Sequence, residues 1–177
     1  IPPDVMREEG PFGEFTGYYG DRAPRPVIQV KAITNRKDLI YQASYEGLPH
    51  HETCVVSGIS NEAELLRQIP LPGIQKVHFT SAGGGYLHAV VSVKKAYDGY
   101  GKMVGLAALG TTAGRTVKIV TVVDDDIDPN DLAQVNWAVT MRTRVDRGLE
   151  IIKDLSANVL DPTMTLHEKR LGSRTDK

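Results

Sequence analysis

A chain of 177 residues is long enough for one domain, or for one domain and part of another, and its 41% hydrophobic residues supply a core. The net charge of −1 and the dispersed basic residues exclude a strongly basic nucleic-acid-binding face, and no apolar run approaches the roughly 20 residues of a transmembrane helix. The single cysteine, Cys54, excludes an intrachain disulfide and favours a reducing compartment, so we expect a cytoplasmic protein.

The first part of the chain, up to Gly58, has the composition of β-strands and turns. Partial alternation and β-branched residues predict a strand at 26–34, and two shorter strands are predicted at 39–42 and 53–56. Cys54 lies in the last of these runs, so we expect a buried, unreactive thiol.

From Gly58 onward, helices and strands alternate. A helix is predicted to begin near Ser60, where a capping residue precedes acidic residues and an apolar pair. The later predicted elements are strands at 75–80 and 87–94, a helix at 100–111, a central strand at 116–123 and a helix at 131–142. Residues 149–155 fit a strand or a short helix equally well. This order predicts an α+β layer sandwich, with domains at 1–58 and 59–177.

Two glutamates, Glu9 and Glu14, flank the sequence Gly-Pro-Phe-Gly, which can form neither a helix nor a regular strand. A turn here could aim both carboxylates into one pocket, with Phe12 as an apolar wall. Carboxylates held close together separate one another's pKa values, so that one becomes a proton donor and the other stays ionised. The alternative is a surface turn with two solvated glutamates.

Three other motifs have structural explanations that we prefer. The acidic run at 124–128 could bind a hard cation, but Asp128 followed by Pro129 and Asp131 is typical of a helix start. The sequence His-His-Glu at 50–52 lacks the further ligand that zinc requires, and adjacent histidines on an extended backbone point apart. The glycine triplet at 83–85 precedes a predicted strand, so it indicates a turn and not a phosphate-binding loop. We therefore predict no metal site.

The string EEGPFGEFTGYYG at 8–20 resembles a signature of the UbiD-like decarboxylases, which use prenylated FMN. Further segments resemble the same family in the same order, and they cover nearly the whole chain: 38–58, 77–95, 118–128, 135–144 and 160–162. The resemblance implies that residues 1–58 are the last strands of a β-rich, split-barrel-like flavin domain, and that residues 59–177 form an oligomerisation domain.

The resemblance also implies a reaction, the reversible non-oxidative decarboxylation of a small aromatic or α,β-unsaturated carboxylic acid. By position in the motif, Glu14 corresponds to the proton donor, and Glu9 to the acid that pairs with an arginine near the flavin. Phe12, Tyr18 and Ser57 are expected to line the substrate pocket.

The implied cofactors are prenylated FMN, Mn²⁺ and K⁺. In the family, the flavin-phosphate and metal-binding part and the catalytic arginine precede this motif, whereas the present sequence begins at Ile1. We therefore expect a middle-to-C-terminal fragment that lacks the N-terminal part of its enzyme and is inactive alone.

Two other functions remain open from the residues. The first is a non-catalytic assembly domain, in which residues after Gly58 form a homo-oligomer interface. The second is a glycosidase that uses Glu9 and Glu14. One tryptophan and 6% aromatic residues are few for a sugar-binding platform.

Overall fold

The computed structural model describes residues 4–171, which form two small sheets and five helices. Strands β1 (Met6–Glu9) and β2 (Ala23–Pro26) pair antiparallel in the first sheet. The second sheet and its helices follow in chain order: α1 (Glu52–Gln68), β3 (Ile74–Phe79), β4 (His88–Val93), α2 (Tyr100–Leu109), β5 (Ile119–Asp124), α3 (Leu132–Arg142), α4 (Val145–Gly148) and α5 (Leu166–Leu171).

The second sheet has the order β3-β4-β5, with β3 antiparallel and β5 parallel to β4. Helix α2 makes the crossover that the parallel pair requires. Successive residues of β4 point to opposite faces: Val91 joins the core formed with α1 and α2, and Val90 joins the core formed with α3. The result is the predicted α+β layer sandwich, with helices on both faces of one sheet.

The central strand of this sheet is β4, so the prediction that the run at 116–123 forms the central strand was wrong. Residues 89–93 are buried along their whole length, whereas Ile119 at the start of β5 is 53% exposed. A continuous β-branched run is compatible with both positions, and the pairing partners decide between them.

Helix α1 begins at Glu52, and the prediction of a strand at 53–56 with a helix from Ser60 was therefore wrong. Cys54, Gly58 and Leu65 are the buried residues of α1, and their spacing is that of one helical face. Packing of this face outweighs the β propensity of the short run around Val55. Gly58, where we expected the domain boundary, lies inside α1, and the division into domains stays a prediction.

The strands predicted at 26–34 and 39–42 are also absent, because β2 ends at Pro26 and residues 27–51 form no helix or strand. Their apolar side chains are exposed, with Ile33 and Tyr41 both at 84%. A strand requires a neighbour for its backbone hydrogen bonds, and none pairs with this segment within residues 4–171.

The remaining predictions for the second sheet were confirmed in position, with the turn at 81–85 between β3 and β4 and helices at α2 and α3. The acidic pattern at 128–131 predicts Asp128 as the N-cap of α3, and this prediction was wrong. Asp131 caps the helix by accepting hydrogen bonds from the N–H groups of Ala133 and Gln134, while Asp128 accepts from Asn130. Residues 149–155 form no helix or strand, and residues 172–177 of the predicted second domain lie outside the described part.

Adjacent leucines of α1 provide a matched test of this packing. Leu65 is fully buried in the core between α1, β3 and α2, and Leu66 is 44% exposed. Leu65→Ala should lower the free energy of unfolding by about 2–5 kcal/mol, because it leaves a cavity. Leu66→Ala should change it by about 0.5 kcal/mol or less. Urea unfolding followed by circular dichroism measures both, and equal losses would contradict the assigned helix face.

Candidate functional site

The sequence from Gly13 to Gly20 forms a tight hairpin that we call the Glu14 turn. An isolated bridge pairs Gly13 with Tyr19, and the Glu14 N–H donates to the Tyr18 carbonyl at 2.9 Å. The Gly17 N–H donates back to the Glu14 carbonyl at 2.9 Å. Gly17 has φ +81°, a conformation that glycine adopts without strain. These bonds fix both sides of the Glu14 backbone.

The Glu14 side chain is half-buried against the opposite side of its own turn. A Cβ atom at Gly20 would lie 2.8 Å from Glu14 Oε1, so glycine at this position leaves the space that the carboxyl group occupies. Burial raises the pKa of Glu14, and the neighbouring carboxylates of Glu46 and then Glu9 raise it further. Glu14 therefore keeps its proton to a higher pH than an exposed glutamate does.

Glu9 is the last residue of β1, on the other side of the Gly-Pro-Phe-Gly stretch. Its side chain is exposed, and Oε2 lies 3.8 Å from Nε of Arg25 on β2. Glu9 is close enough to Glu14 to raise the pKa of Glu14, so the two carboxylates share one electrostatic environment. Glu46 raises the pKa of Glu14 more than Glu9 does. The sequence did not indicate this neighbour, because Glu46 lies in the segment after β2 and comes near Glu14 only when the chain folds back to the turn.

The three residues expected to line the pocket lie in different settings. Phe12 and Tyr18 are exposed, at 49% and 63%. Ser57 lies on α1 and not on a strand, and its Oγ accepts a hydrogen bond from the Tyr86 hydroxyl at 2.8 Å. The pocket-lining role of all three residues stays a prediction.

Two residues beside Glu14 were missed by the sequence analysis. Phe15 is only 6% exposed, and its ring centroid lies 5.0 Å from that of Tyr86. His51 is equally buried, with Nε2 at 3.4 Å from the Phe15 carbonyl oxygen and 3.2 Å from Cys54 Sγ. The predicted burial of Cys54 was confirmed. An aromatic residue directly after Glu14 was the one signal that the sequence offered.

The acidic run at 124–128 is occupied by ion pairs and turn contacts. Arg142 donates two hydrogen bonds of 2.8 Å to Asp126, and its guanidinium lies 4.7 Å from the ring centroid of Trp137. The Arg142 guanidinium lowers the pKa of Asp126. Within residues 4–171, no group of three or more histidine, cysteine, aspartate or glutamate side chains could hold a metal ion.

Two cavities differ in their relation to Glu14. A cavity of about 160 Å³ lies between the Glu14 turn and the second sheet, lined by Phe15, Thr16 and residues of the 83–84 turn. A groove of about 810 Å³ lies along α2, β5 and residues 143–158, and no residue of the Glu14 turn lines it. Ligand pockets usually measure about 300–1,000 Å³. The smaller cavity can therefore hold a small group but not a whole flavin.

None of the helices in residues 4–171 has the length and apolar composition to span a bilayer.

Family models of the 3-octaprenyl-4-hydroxybenzoate carboxy-lyases match this chain in two stretches. The model of the Rift-related domain matches residues 1–49, and the model of the C-terminal domain matches residues 54–175. The chain belongs to the UbiD family. The resemblance found in the sequence motifs is thereby confirmed, and the two matched stretches meet between residues 49 and 54, just before α1 and within its first turn.

Known members of the UbiD family align with almost the whole chain. A phenolic acid decarboxylase of Bacillus subtilis is 37% identical over 158 residues, covering 87% of this chain and 33% of the relative. The vanillic acid decarboxylase of Sedimentibacter hydroxybenzoicus, in an open form, superposes with a TM-score of 0.88 at 31% identity, covering 99% of this chain and 37% of that one.

A third relative, the UbiD-class enzyme HmfF of Pelotomaculum thermopropionicum, has been solved with FMN. It superposes with a TM-score of 0.83 at 38% identity, covering 97% of this chain and 37% of that one. An evolved dimeric form of HmfF in complex with prFMN gives a TM-score of 0.75 at 38% identity, covering 85% of this chain and 35% of that one. The present chain spans about a third of the length of these relatives.

The electrostatics of Glu14 can be measured directly by carbon NMR of its carboxyl group. We expect a titration midpoint above the ordinary glutamate value. Glu46→Gln should lower the midpoint more than Glu9→Gln, because Glu46 is the stronger neighbour. Because the pKa of Glu14 is higher in the folded than in the unfolded chain, protonation of Glu14 stabilises the fold. This stabilisation is fully present below the pKa of the unfolded state, and it is lost as the pH rises through the pKa of the folded state. A midpoint at or below the ordinary value would contradict the described environment.

Proposed function

We propose that this chain is the part of a UbiD-family enzyme that carries the proton donor for reversible, non-oxidative decarboxylation of an aromatic or α,β-unsaturated carboxylic acid. The observation that carries the proposal is Glu14, a half-buried carboxyl whose pKa is raised inside a rigid hairpin. The named relatives phenolic acid decarboxylase and vanillic acid decarboxylase support the reaction class and an aromatic acid as substrate.

Loss of CO₂ leaves a carbon that must be protonated, and a general acid must carry its proton near neutral pH. Burial and two neighbouring carboxylates raise the pKa of Glu14 and so shift this carboxyl toward that requirement. The hydrogen bonds of the Glu14 turn hold the backbone of the donor, so its proton is delivered from a fixed position. The reverse reaction uses the ionised carboxylate to remove the same proton.

Glu9 has a different role in this proposal. Its carboxylate lies at the end of β1, within ion-pair distance of Arg25, in an exposed position open to a further cation. Its negative charge adds to burial and to Glu46 in raising the pKa of Glu14, the acid that would donate the proton. Phe12 and Tyr18 would meet the aromatic ring of the substrate, and Ser57 would lie at the edge of its pocket.

When bound, a prenylated flavin would supply the electron sink for the loss of CO₂. Glu14 would donate its proton to the substrate on the side of the flavin where the substrate reacts. The Glu14 turn would form one wall of the cofactor site. Within residues 4–171, no group of three or more histidine, cysteine, aspartate or glutamate side chains fits Mn²⁺ or K⁺.

Replacing the proposed donor tests the mechanism in the full-length enzyme. Glu14→Gln should lower kcat by about 10²–10⁴-fold, because the amide cannot transfer the proton, while prenylated FMN still binds. Glu8→Gln is the matched control: Glu8 is an exposed neighbour of Glu9 that pairs with Arg22, and its loss should leave turnover unchanged. Full activity of the Glu14→Gln enzyme would remove the assignment.

A second function, homo-oligomer assembly, is favoured by exposed apolar side chains on β5, on α3 and in the segment that follows α4. These residues include Ile119, Trp137, Met141, Leu149 and Ile151. Monomeric proteins rarely leave large contiguous apolar patches in water, so a second copy of this layer is the proposed occupant.

Native mass spectrometry of this chain with prenylated FMN and Mn²⁺ separates assembly from cofactor binding. We expect a flavin-free oligomer, since the cavity beside Glu14 is smaller than a flavin. Stoichiometric retention of flavin would show that this chain holds the cofactor by itself. A monomer at micromolar concentration would remove the assembly proposal and leave the catalytic one intact.

A further inference from the structure

The Glu14 turn is anchored to the second sheet by the side chain that follows Glu14. Phe15 leaves the turn and packs on the turn between β3 and β4, where its ring meets Tyr86 at 5.0 Å with a tilt of 53°. Tyr86 is held in turn by the hydrogen bond from its hydroxyl to Ser57 on α1. A chain of contacts therefore runs from α1 through Tyr86 and Phe15 to the backbone of Glu14.

The glycine at position 84 makes this contact possible. A Cβ atom on Gly84 would lie 2.5 Å from Cδ2 of the Phe15 ring, which real carbon atoms do not reach. The neighbouring Gly85 leaves similar room for α1, because its Cβ would lie 2.3 Å from the Cys54 carbonyl oxygen. Asn61 of α1 also donates a hydrogen bond of 2.8 Å to the Gly85 carbonyl. The glycine triplet is a docking surface for both the Glu14 turn and α1.

His51 makes the second contact with the Glu14 turn, through the Phe15 backbone. A carbonyl oxygen can only accept, so His51 can donate to the Phe15 oxygen, 3.4 Å from Nε2, in the tautomer that carries the proton on Nε2; the same nitrogen lies 3.2 Å from Cys54 Sγ. In this tautomer Nδ1 carries the lone pair. Nδ1 is buried and has no hydrogen-bond partner among residues 4–171.

We propose that Phe15 and His51 are positioning residues that fix the Glu14 turn on the second sheet and so hold the Glu14 carboxyl in place for proton transfer. The catalytic part of this inference rests on the proposed function of Glu14. Its structural part, that these two residues restrain the turn, holds independently of the reaction. Neither residue touches the reacting atoms in this assignment, because both act through the backbone and packing of the turn.

The groups that surround the turn determine how its loosening would affect Glu14. Glu46 and Glu9 act on Glu14 directly, and the ion pair between Asp21 and Lys169, at 3.1 Å, lies directly after Gly20. A turn released from Phe15 and His51 would expose the Glu14 carboxyl to water and lose the largest cause of its raised pKa, which is burial. The donor would then lose its proton at a lower pH.

Substitutions of His51 in the full-length enzyme test the backbone contact. His51→Leu removes the N–H donor, and kcat should fall by about 10- to 100-fold with the Michaelis constant little changed, because a small displacement of a catalytic group has effects of this size. The basic limb of the kcat–pH profile should move to lower pH. His51→Gln retains an N–H at nearly the same place and should recover most of the activity and the limb. His50→Leu, at the exposed neighbouring position, is the control and should behave as the wild-type enzyme.

A pair of glycine substitutions tests the packing of Phe15. Gly84→Ala and Gly99→Ala both place a side chain at positive φ, +67° and +87°, but only Gly84 has Phe15 within contact distance, whereas Gly99 has nothing within 4 Å. Both variants share the backbone strain, so a difference between them isolates the lost docking of Phe15. Gly84→Ala should lower kcat and shift the basic limb as His51→Leu does, and Gly99→Ala should not.

Hydrogen exchange separates this inference from the proposed function. The Glu14 and Gly17 amides are hydrogen-bonded within the turn, and they should exchange at least about tenfold faster in His51→Leu and Gly84→Ala than in the control variants. If hydrogen exchange and the pH profile are unchanged in both His51→Leu and Gly84→Ala, the inference is overturned. If kcat falls equally in His51→Gln and His51→Leu, the N–H donor of His51 has no role. Faster exchange combined with full activity of Glu14→Gln would retain the anchoring and remove only its catalytic meaning.

Discussion

Burial of the Phe15 ring against Gly84 and Tyr86 is the contact on which the candidate site depends. Without it, the Glu14 turn would keep the His51 contact and its link to a two-stranded sheet, and isolated two-stranded sheets are marginally stable in water. The ring joins the turn to a sheet whose central strand, β4, is buried on both faces. The layer sandwich therefore restrains the backbone of Glu14, which lies outside this sheet.

The same contact accounts for the electrostatics of the site. Glu14 is half-buried because its hairpin is closed and docked, and desolvation is the largest cause of its raised pKa. Two other acidic residues shift in the opposite direction: the pKa of Asp126 is lowered by hydrogen bonds from Arg142, and that of Asp131 by hydrogen bonds from the α3 N-terminus. The pKa of Glu14 is instead raised by burial and by two neighbouring carboxylates, and chemistry that needs a protonated acid uses such a group.

Residues 27–51 and the surface around Trp137 both expose apolar side chains. The segment at 27–51 carries exposed apolar side chains and no regular hydrogen-bond ladder, and the chain spans about a third of the length of its relatives. Their exposure fits surfaces that are covered when the whole protein is assembled, in line with the proposed oligomer. Phe15 and His51, by contrast, make their contacts within this chain.

Local sequence patterns indicated the family, the pair Glu9 and Glu14, and the elements whose neighbours are close along the chain, such as β3, β4, α2 and α3. Glycine, proline and capping residues act locally, so their effect can be read without knowing the fold. Three features became visible only in the folded chain: residues 53–56 are helical, β4 and not β5 is central, and Glu46, His51 and Phe15 surround Glu14. These outcomes depend on which distant segments meet, because packing outweighs the local β propensity of a short run and because a buried histidine has the same sequence pattern as an exposed one.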